Sequence, residues 1–491
     1  MGRIMVTALR IPSHRILSSH TNAMVDLIQS FPRLESLTVP ITSSLLLNED
    51  FRKAALRLND LRELTFKIRW PNHSWCFSLM DLSILWQLVQ LNSQSLDSLR
   101  VNFCHFNSEN LSGCPDPGIF EKCQLLSSMR DAIAILEALG ASETYFPLRN
   151  IDWPKQLNLK VLQFRWFDCN ETTDSMGVYG GLKFLRLETL EILSLTDCPD
   201  VCDTIHSIAD QLVSLRYLQL SDRWPCITKL EELLLGLPRS LIALSLRIRG
   251  TVERPLDYLC LDRHRETLRS LFLWTDSANL FAKSRWVRRD TGRREKISVT
   301  NFRGWTNLEE LVLSVGVLAC GLTNFALPES LKTLYIEDRR CDHLGGGGGL
   351  FDQYLSDALD AVAPEDLWKT FSKTSMTEVP AVSVLSDEKV LEEYSKIVQD
   401  FARRQRARST CGVSKLQGVA IFPTGRPQVY SDPVYLKIAP CEAPKRSKIS
   451  PRVDVTSKAD FRRSFGDVNF PPREEALWSW VDACRNRWGE N

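Results

Sequence analysis

The sequence predicts an α/β solenoid, a curved parallel sheet with helices on its convex side, followed by a mainly helical, partly irregular C-terminal region. Three observations carry this expectation. One six-residue pattern, apolar at its first, fourth and sixth places, recurs eleven times between Val6 and Ile336. Its copies start at similar intervals, and the stretches between them change to helical spacing.

The copies are VTALRI from Val6, LESLTV from Leu34, LRELTF from Leu61, LDSLRV from Leu96, LKVLQF from Leu159 and LEILSL from Leu190. They continue with LRYLQL from Leu215, LIALSL from Leu241, LRSLFL from Leu268, LEELVL from Leu308 and LKTLYI from Leu331. Successive starts lie 28, 27, 35, 63, 31, 25, 26, 27, 40 and 23 residues apart, mostly within the period of a leucine-rich repeat. The fourth and sixth places alternate with ones expected to be exposed, as in a short strand that shows one face to a core. Met24, Leu27 and Ile28 precede the second copy; Ile205, Ile208, Ala209 and Leu212 precede LRYLQL; Leu230, Leu233, Leu234 and Leu237 precede LIALSL. These spacings predict a helix before each strand. No single unit can bury its own leucines, so neighbours must stack into a leucine-rich-repeat solenoid.

Two copies carry a cysteine eight residues after their first leucine, Cys104 after Leu96 and Cys198 after Leu190. The stretch LEILSLTDCPDVCDTIHSIADQLVSLRYLQL resembles the cysteine-containing leucine-rich repeat of F-box proteins, over about residues 4 to 340. That resemblance implies a substrate-recognition receptor of cullin-RING ubiquitin ligases. An F-box would precede the repeats, and the first copy begins at Val6. Substrate-type binding is therefore the stronger implication, and ligase assembly the weaker.

The repeat array is expected over residues 4–344, interrupted by a basic insertion at 283–296. Five consecutive glycines, Gly345 to Gly349, end it and open a linker and helical segment to residue 386. Val390, Leu391, Tyr394, Ile397, Val398 and Phe401 predict an amphipathic helix at 387–408. The Pro-, Ser- and Lys-rich stretch 409–472 is expected to be irregular and partly disordered, and Leu477, Trp478, Val481, Cys484 and Trp488 predict a final helix at 473–491.

Composition excludes little: 44% hydrophobic and 25% charged residues with a net charge of +1 describe an ordinary folded chain with no global pull toward nucleic acid. Fourteen cysteines lie without a CxxC pair, so neither zinc nor a disulfide framework is expected. The opening residues, with Arg3 and Arg10, do not form a secretory signal, and no membrane span is expected, which points to the cytoplasm or nucleus. The seven histidines fall in no HExxH, and there is no GxSxG, Walker or GxGxxG pattern. No catalytic residues, cofactor or small-molecule substrate are expected.

Binding is expected on the concave face, where the third, fifth and seventh places of each copy point. Arg165, Tyr217, Arg247, Phe272, Trp274 and Tyr335 are the candidates there, because aromatics and arginines anchor protein interfaces. Phe272, Trp274 and Tyr335, with Arg247 beside them, are expected to form one connected patch for a protein partner. The basic insertion has a net charge of +5, and its Arg288, Arg289, Arg293 and Arg294 suit an acidic or phosphorylated ligand. Besides the receptor, a structural scaffold with no ubiquitin link and a phosphate or nucleic-acid binder stay open as functions.

Overall fold

A computed structural model describes residues 8–10, 21–31, 33–41, 48–69, 83–104, 156–165, 185–196, 201–222, 226–248, 256, 259–275, 304–314, 327–339, 415–424, 434–439 and 452–465, with single helical residues between 395 and 403. The chain divides into two units: Met1–Leu215 with Leu220–Asp222, and Arg216–Gln219 with Arg223–Asn491.

Each copy of the six-residue pattern forms a strand. In the first unit these are β1 (Ala8–Arg10), β2 (Ser36–Ile41), β3 (Glu63–Arg69), β4 (Ser98–Cys104), β5 (Val161–Arg165) and β6 (Ile192–Thr196). Each pairs in parallel with the next, in a register that sets equivalent places of the copies side by side, as in Leu37↔Leu64, Leu64↔Leu99 and Leu162↔Leu193. Between them lie α1 (Thr21–Ser30), α2 (Glu49–Ala55) and α3 (Ser83–Leu91), and after β6 comes α4 (Val201–His206). Helix α1 buries Met24, Val25 and Ile28 and leaves Leu27 exposed. Asn48 caps α2 by accepting the Phe51 amide at 2.8 Å, and Glu49 and Asp50 in its first turn suit the positive end of the helix.

Strand β7 (Tyr217–Asp222) falls at the division between the units. The second unit goes on with α5 (Ile227–Gly236), β8 (Ala243–Ile248), α6 (Leu259–Asp262), β9 (Ser270–Thr275), β10 (Glu310–Ser314) and β11 (Thr333–Arg339). Then come β12 (Gly418–Thr424), β13 (Val434–Ile438), β14 (Val453–Thr456) and α7 (Lys458–Phe465). Strands β8 to β12 pair in parallel, whereas β12–β13 and β13–β14 are antiparallel. The architecture is thus α/β, with open and mostly parallel strand pairing.

A repeated backbone rung joins the copies. The carbonyl of the second place accepts two amides, from the second and third places of the next copy. Glu35 O takes Arg62 N and Glu63 N, Arg62 O takes Asp97 N and Ser98 N, and Ile242 O takes Arg269 N and Ser270 N. A side-chain rung lies beside it. The hydroxyl just before the first leucine donates to the carbonyl of the preceding copy's first leucine and, for Ser95, Thr189 and Thr267, also to the carbonyl three residues earlier. Ser95 Oγ reaches Leu61 O at 2.9 Å, Thr189 Oγ1 reaches Leu159 O at 2.8 Å, Thr267 Oγ1 reaches Leu241 O at 2.7 Å, and Ser330 Oγ reaches Leu308 O at 2.8 Å. These bonds give the carbonyls partners at the corners where the chain turns into those strands.

Rung geometry also corrects the sequence reading. Gln417 N and Gly418 N both bond to Lys332 O, the same rung that joins the earlier copies. LQGVAI from Leu416 is therefore a further copy, with Leu416, Val419 and Ile421 buried at the first, fourth and sixth places. The array does not end at residue 344, and 409–472, expected to be irregular, holds three strands and a helix. Val398 and Ala402, within the amphipathic stretch at 387–408, are helical and buried. The linker at 345–386, the basic insertion and the stretch 473–491 lie outside the described residues.

Leucines at the first, fourth and sixth places make the core, including Leu61, Leu64, Leu193, Leu218, Leu244, Leu271, Leu311 and Leu334. Two buried polar side chains serve it at equivalent positions, four residues before the first leucine of a copy. Asn92 Oδ1 accepts from Leu61 N at 2.8 Å, and its Nδ2 donates to Leu58 O at 2.8 Å. His264 Nδ1 accepts from Leu241 N at 3.1 Å, so its proton is on Nε2, which bonds to Leu234 O at 3.1 Å. Burial lowers the His264 pKa from 6.5 to about 4; the bond to Leu234 O opposes this, and the nearby Arg263 adds to it.

Leu218→Ala or Leu244→Ala should each destabilise the fold by about 2 to 5 kcal/mol, read as a lowered melting temperature, because either opens a cavity in a shared core. An unchanged melt would remove these leucines from the core. For His264, the unfolded chain takes up a proton as pH falls through 6.5, and the folded chain only through about 4. Acidification across that window therefore favours unfolding, by about 3 kcal/mol at pH 4. His264→Asn, which places the Asn92 side chain at the equivalent position, should remove that loss when urea unfolding is compared at pH 7 and pH 4.

Candidate functional site

Strand alternation sends the third, fifth and seventh places of each copy to the face opposite the leucines, called here the outer face. In the first unit its character changes along the strands. On β2 and β3 it is polar and accessible: Ser36, Thr38, Thr65 and Lys67 are half-buried and Glu63 is exposed. Register places Thr38, Thr65 and Arg100 in one row, with Arg100 also half-buried. Ser36 Oγ donates to Glu63 Oε2 at 3.1 Å. On β5 and β6 the described side chains of this face are buried. Gln163, next in the row after Arg100, is fully buried with no hydrogen bond to its side-chain amide, and Ile192, Ser194 and Thr196 are buried beside it.

The second unit buries the third and fifth places of its outer face from β8 to β12. Ser245, Phe272, Val312, Tyr335 and Ala420 form one row across these strands, and Ala243, Ser270, Glu310, Thr333 and Gly418 form the row beside it. Every side chain in both rows is buried. Ser270 Oγ donates to Glu310 Oε2 at 2.8 Å. This repeats the Ser36–Glu63 bond at the same register in a buried setting, with Glu310 only 1% exposed.

The candidates from sequence fall as follows. Phe272 and Tyr335 do share a row, with Val312 between them, and Arg247 pairs in register with Trp274 one row further along. The expected exposed patch is nevertheless not found at Phe272 and Tyr335, because both are buried, as is Tyr217. Arg247 is half-buried. The side chains of Arg165 and Trp274, and all of Arg288, Arg289, Arg293 and Arg294, lie outside the described residues.

Tyr335 is buried because α7 lies against it. The Phe461 ring meets Tyr335 edge-on at 6.1 Å, lies 5.1 Å from Tyr435 and packs 4.6 Å from Phe465. Sequence reading missed Phe461, Tyr435 and Gly418 entirely. The available signal was the pattern match at Leu416, Val419 and Ile421, with glycine at a strand place where glycine is disfavoured unless another group approaches closely. Among the described residues no group of three or more His, Cys, Asp or Glu side chains is placed to hold a metal. No helix among them is long and apolar enough to cross a membrane. Cys202 and Cys260 are buried thiols outside any disulfide, in keeping with packing roles.

No family model and no curated protein matches the chain.

The two Ser–Glu pairs give a test with an internal control. Ser270→Ala removes the hydroxyl that bonds to a buried carboxylate and should destabilise by about 1 to 3 kcal/mol. Ser36→Ala removes its exposed counterpart and should stay within about 0.5 kcal/mol of wild type. Equal effects in chemical unfolding would mean that burial does not distinguish the pairs.

Proposed function

We propose that the chain is a leucine-rich-repeat solenoid that works as a non-catalytic protein-interaction module, binding its partner through the outer face of β2 to β4. One observation carries this reading. At its third and fifth places the outer face is buried from β5 on in the first unit and from β8 to β12 in the second, yet on β2 and β3 those places, Ser36, Thr38, Glu63 and Thr65, stay accessible, and Glu63 and the half-buried Lys67 carry charge of both signs. A strand face with mixed charges and short hydroxyl side chains suits the polar complementarity of a protein partner better than it suits a phosphate backbone.

The finer reading is a substrate-recognition receptor of the F-box type, supported by the cysteine-bearing copies at Cys104 and Cys198. A scaffold with the same face and no ubiquitin link is the alternative. A cytoplasmic or nuclear location goes with either. The basic insertion supports a separate reading, a site for an acidic or phosphorylated segment, on its net charge of +5.

Affinity capture followed by quantitative mass spectrometry tests these readings with matched variants. Glu63→Arg combined with Lys67→Glu should cut recovery of the specific partner at least tenfold, a loss of about 1.4 kcal/mol, with unchanged melting. Undiminished recovery would reject this face. Cullin-RING components recovered alongside the partner would select the receptor over the scaffold. Changing Arg288, Arg289, Arg293 and Arg294 to Gln should have a smaller effect that fades as salt is raised. Loss confined to that variant would move the primary site to the insertion.

A further inference from the structure

The contact between α7 and the outer face has the form of a ligand in a site. Register aligns Tyr335 on β11, Ala420 on β12 and Tyr435 on β13 in a single cross-strand row. Beside Ala420 on the same face of β12 is Gly418. Two aromatic walls therefore stand on either side of a floor made of the two smallest residues. The walls are two strand spacings apart, roughly 10 Å, which admits one ring between them. Phe461 fills that notch. A Cβ on Gly418 would come within 2.8 Å of Phe465 and 2.9 Å of Phe461, so the notch exists only because this strand place has no side chain.

Among the described residues, the two rings are the main contact of α7 with the strands. Of the described residues from Arg452 to Phe465, Phe461 alone is buried; Phe465 is half-buried, and Lys458, Ala459, Asp460, Arg463 and Ser464 are exposed. One exposed hydrogen bond, Lys437 Nζ to Ser464 Oγ at 3.0 Å, ties the helix to β13. Its start is closed locally: Ser457 Oγ accepts from Asp460 N at 3.1 Å and donates to Asp460 Oδ2 at 2.8 Å. An eight-residue helix has marginal stability by itself, so the packing of the Phe461 and Phe465 rings on one side contributes to its order. That is the anchoring pattern of a short amphipathic helix in a partner's groove, read at positions i and i+4.

We propose that the Tyr335–Gly418–Ala420–Tyr435 notch is a peptide-binding site for a short amphipathic helix with phenylalanines four residues apart, and that α7 occupies it in cis as a displaceable plug. The site lies within the second unit and does not depend on the reading of the β2 to β4 face. Either can fail while the other stands.

The probe is a fluorescein-labelled synthetic peptide with the sequence of residues 456–466, titrated by anisotropy against the full-length chain. Phe461→Ala empties the notch and should bind the peptide at least tenfold more tightly than wild type, whose own helix competes. Adding Gly418→Val to Phe461→Ala should abolish binding, as should replacing both phenylalanines of the peptide with alanine. Absence of binding to Phe461→Ala, equal binding to wild type, or indifference to Gly418→Val would each overturn the proposal. Hydrogen exchange on the unmodified chain gives a readout that needs no variant. Excess unlabelled peptide should speed exchange of the α7 amides while those of β11 and β12 stay protected. Exchange of α7 only together with those strands would show a fixed part of the fold rather than a plug.

Discussion

The described strands of either unit depend on one recurring backbone arrangement, the carbonyl of a copy's second place accepting two amides from the next copy, as at Glu35, Arg62, Asp97, Ile242, Glu309 and Lys332. It fixes register at the point where the chain enters the strand. A slip of one residue would turn every leucine to the outer face. Because the rung fixes the second and third places together, the fourth and sixth must face the core. The hydroxyl rung of Ser95, Thr189, Thr267 and Ser330 reinforces the same corner from the side-chain direction. Asn92 and His264 complete it from one layer further in, each joining the first leucine of the preceding copy to a carbonyl before it. Two chemically different side chains thus perform the same task. Only one of them carries a proton whose uptake opposes the fold.

The strands were legible because their determinants are local. Leucines at the first, fourth and sixth places identify eleven strands, β1 to β11, and the spacing of Leu230, Leu233 and Leu234 identifies α5. Strand β12 was not found, although LQGVAI fits the pattern, because its copy begins 85 residues after the preceding one and beyond the five glycines expected to end the array. The candidate site was legible only in part. Which residues occupy the outer face follows from alternation, and Phe272 and Tyr335 do share a row there. Whether they meet water depends on what packs over them. For Tyr335 that is Phe461, a residue with no sequence relation to the strand it covers. A polar row such as Thr38, Thr65 and Arg100 drew no attention, although its accessibility distinguishes it from the aromatic row.

The outer face thus takes two forms in one chain. On β2 and β3 short polar side chains leave it half open, whereas on β11 to β13 it is packed like an interior, with aromatic rings at the centroid separations that favour edge and tilted contacts. The Ser36–Glu63 and Ser270–Glu310 pairs show the same difference with the chemistry held constant. Strand geometry provides a surface, and the residues laid over it decide whether that surface is used for folding or for binding.

The rung between Lys332 and Gln417 has one more consequence. Leu331 and Leu416 are 85 residues apart, against 26 for Leu215 and Leu241, yet the same two amides meet the same carbonyl. Closing the longer interval costs only about 1 kcal/mol more in chain entropy, because that cost grows with the logarithm of length. A fold joined this way constrains where the chain returns and hardly constrains how far it travels first. New sequence can therefore accumulate between copies at small thermodynamic expense, which makes the intervals, rather than the strands, the places where this architecture can acquire new parts.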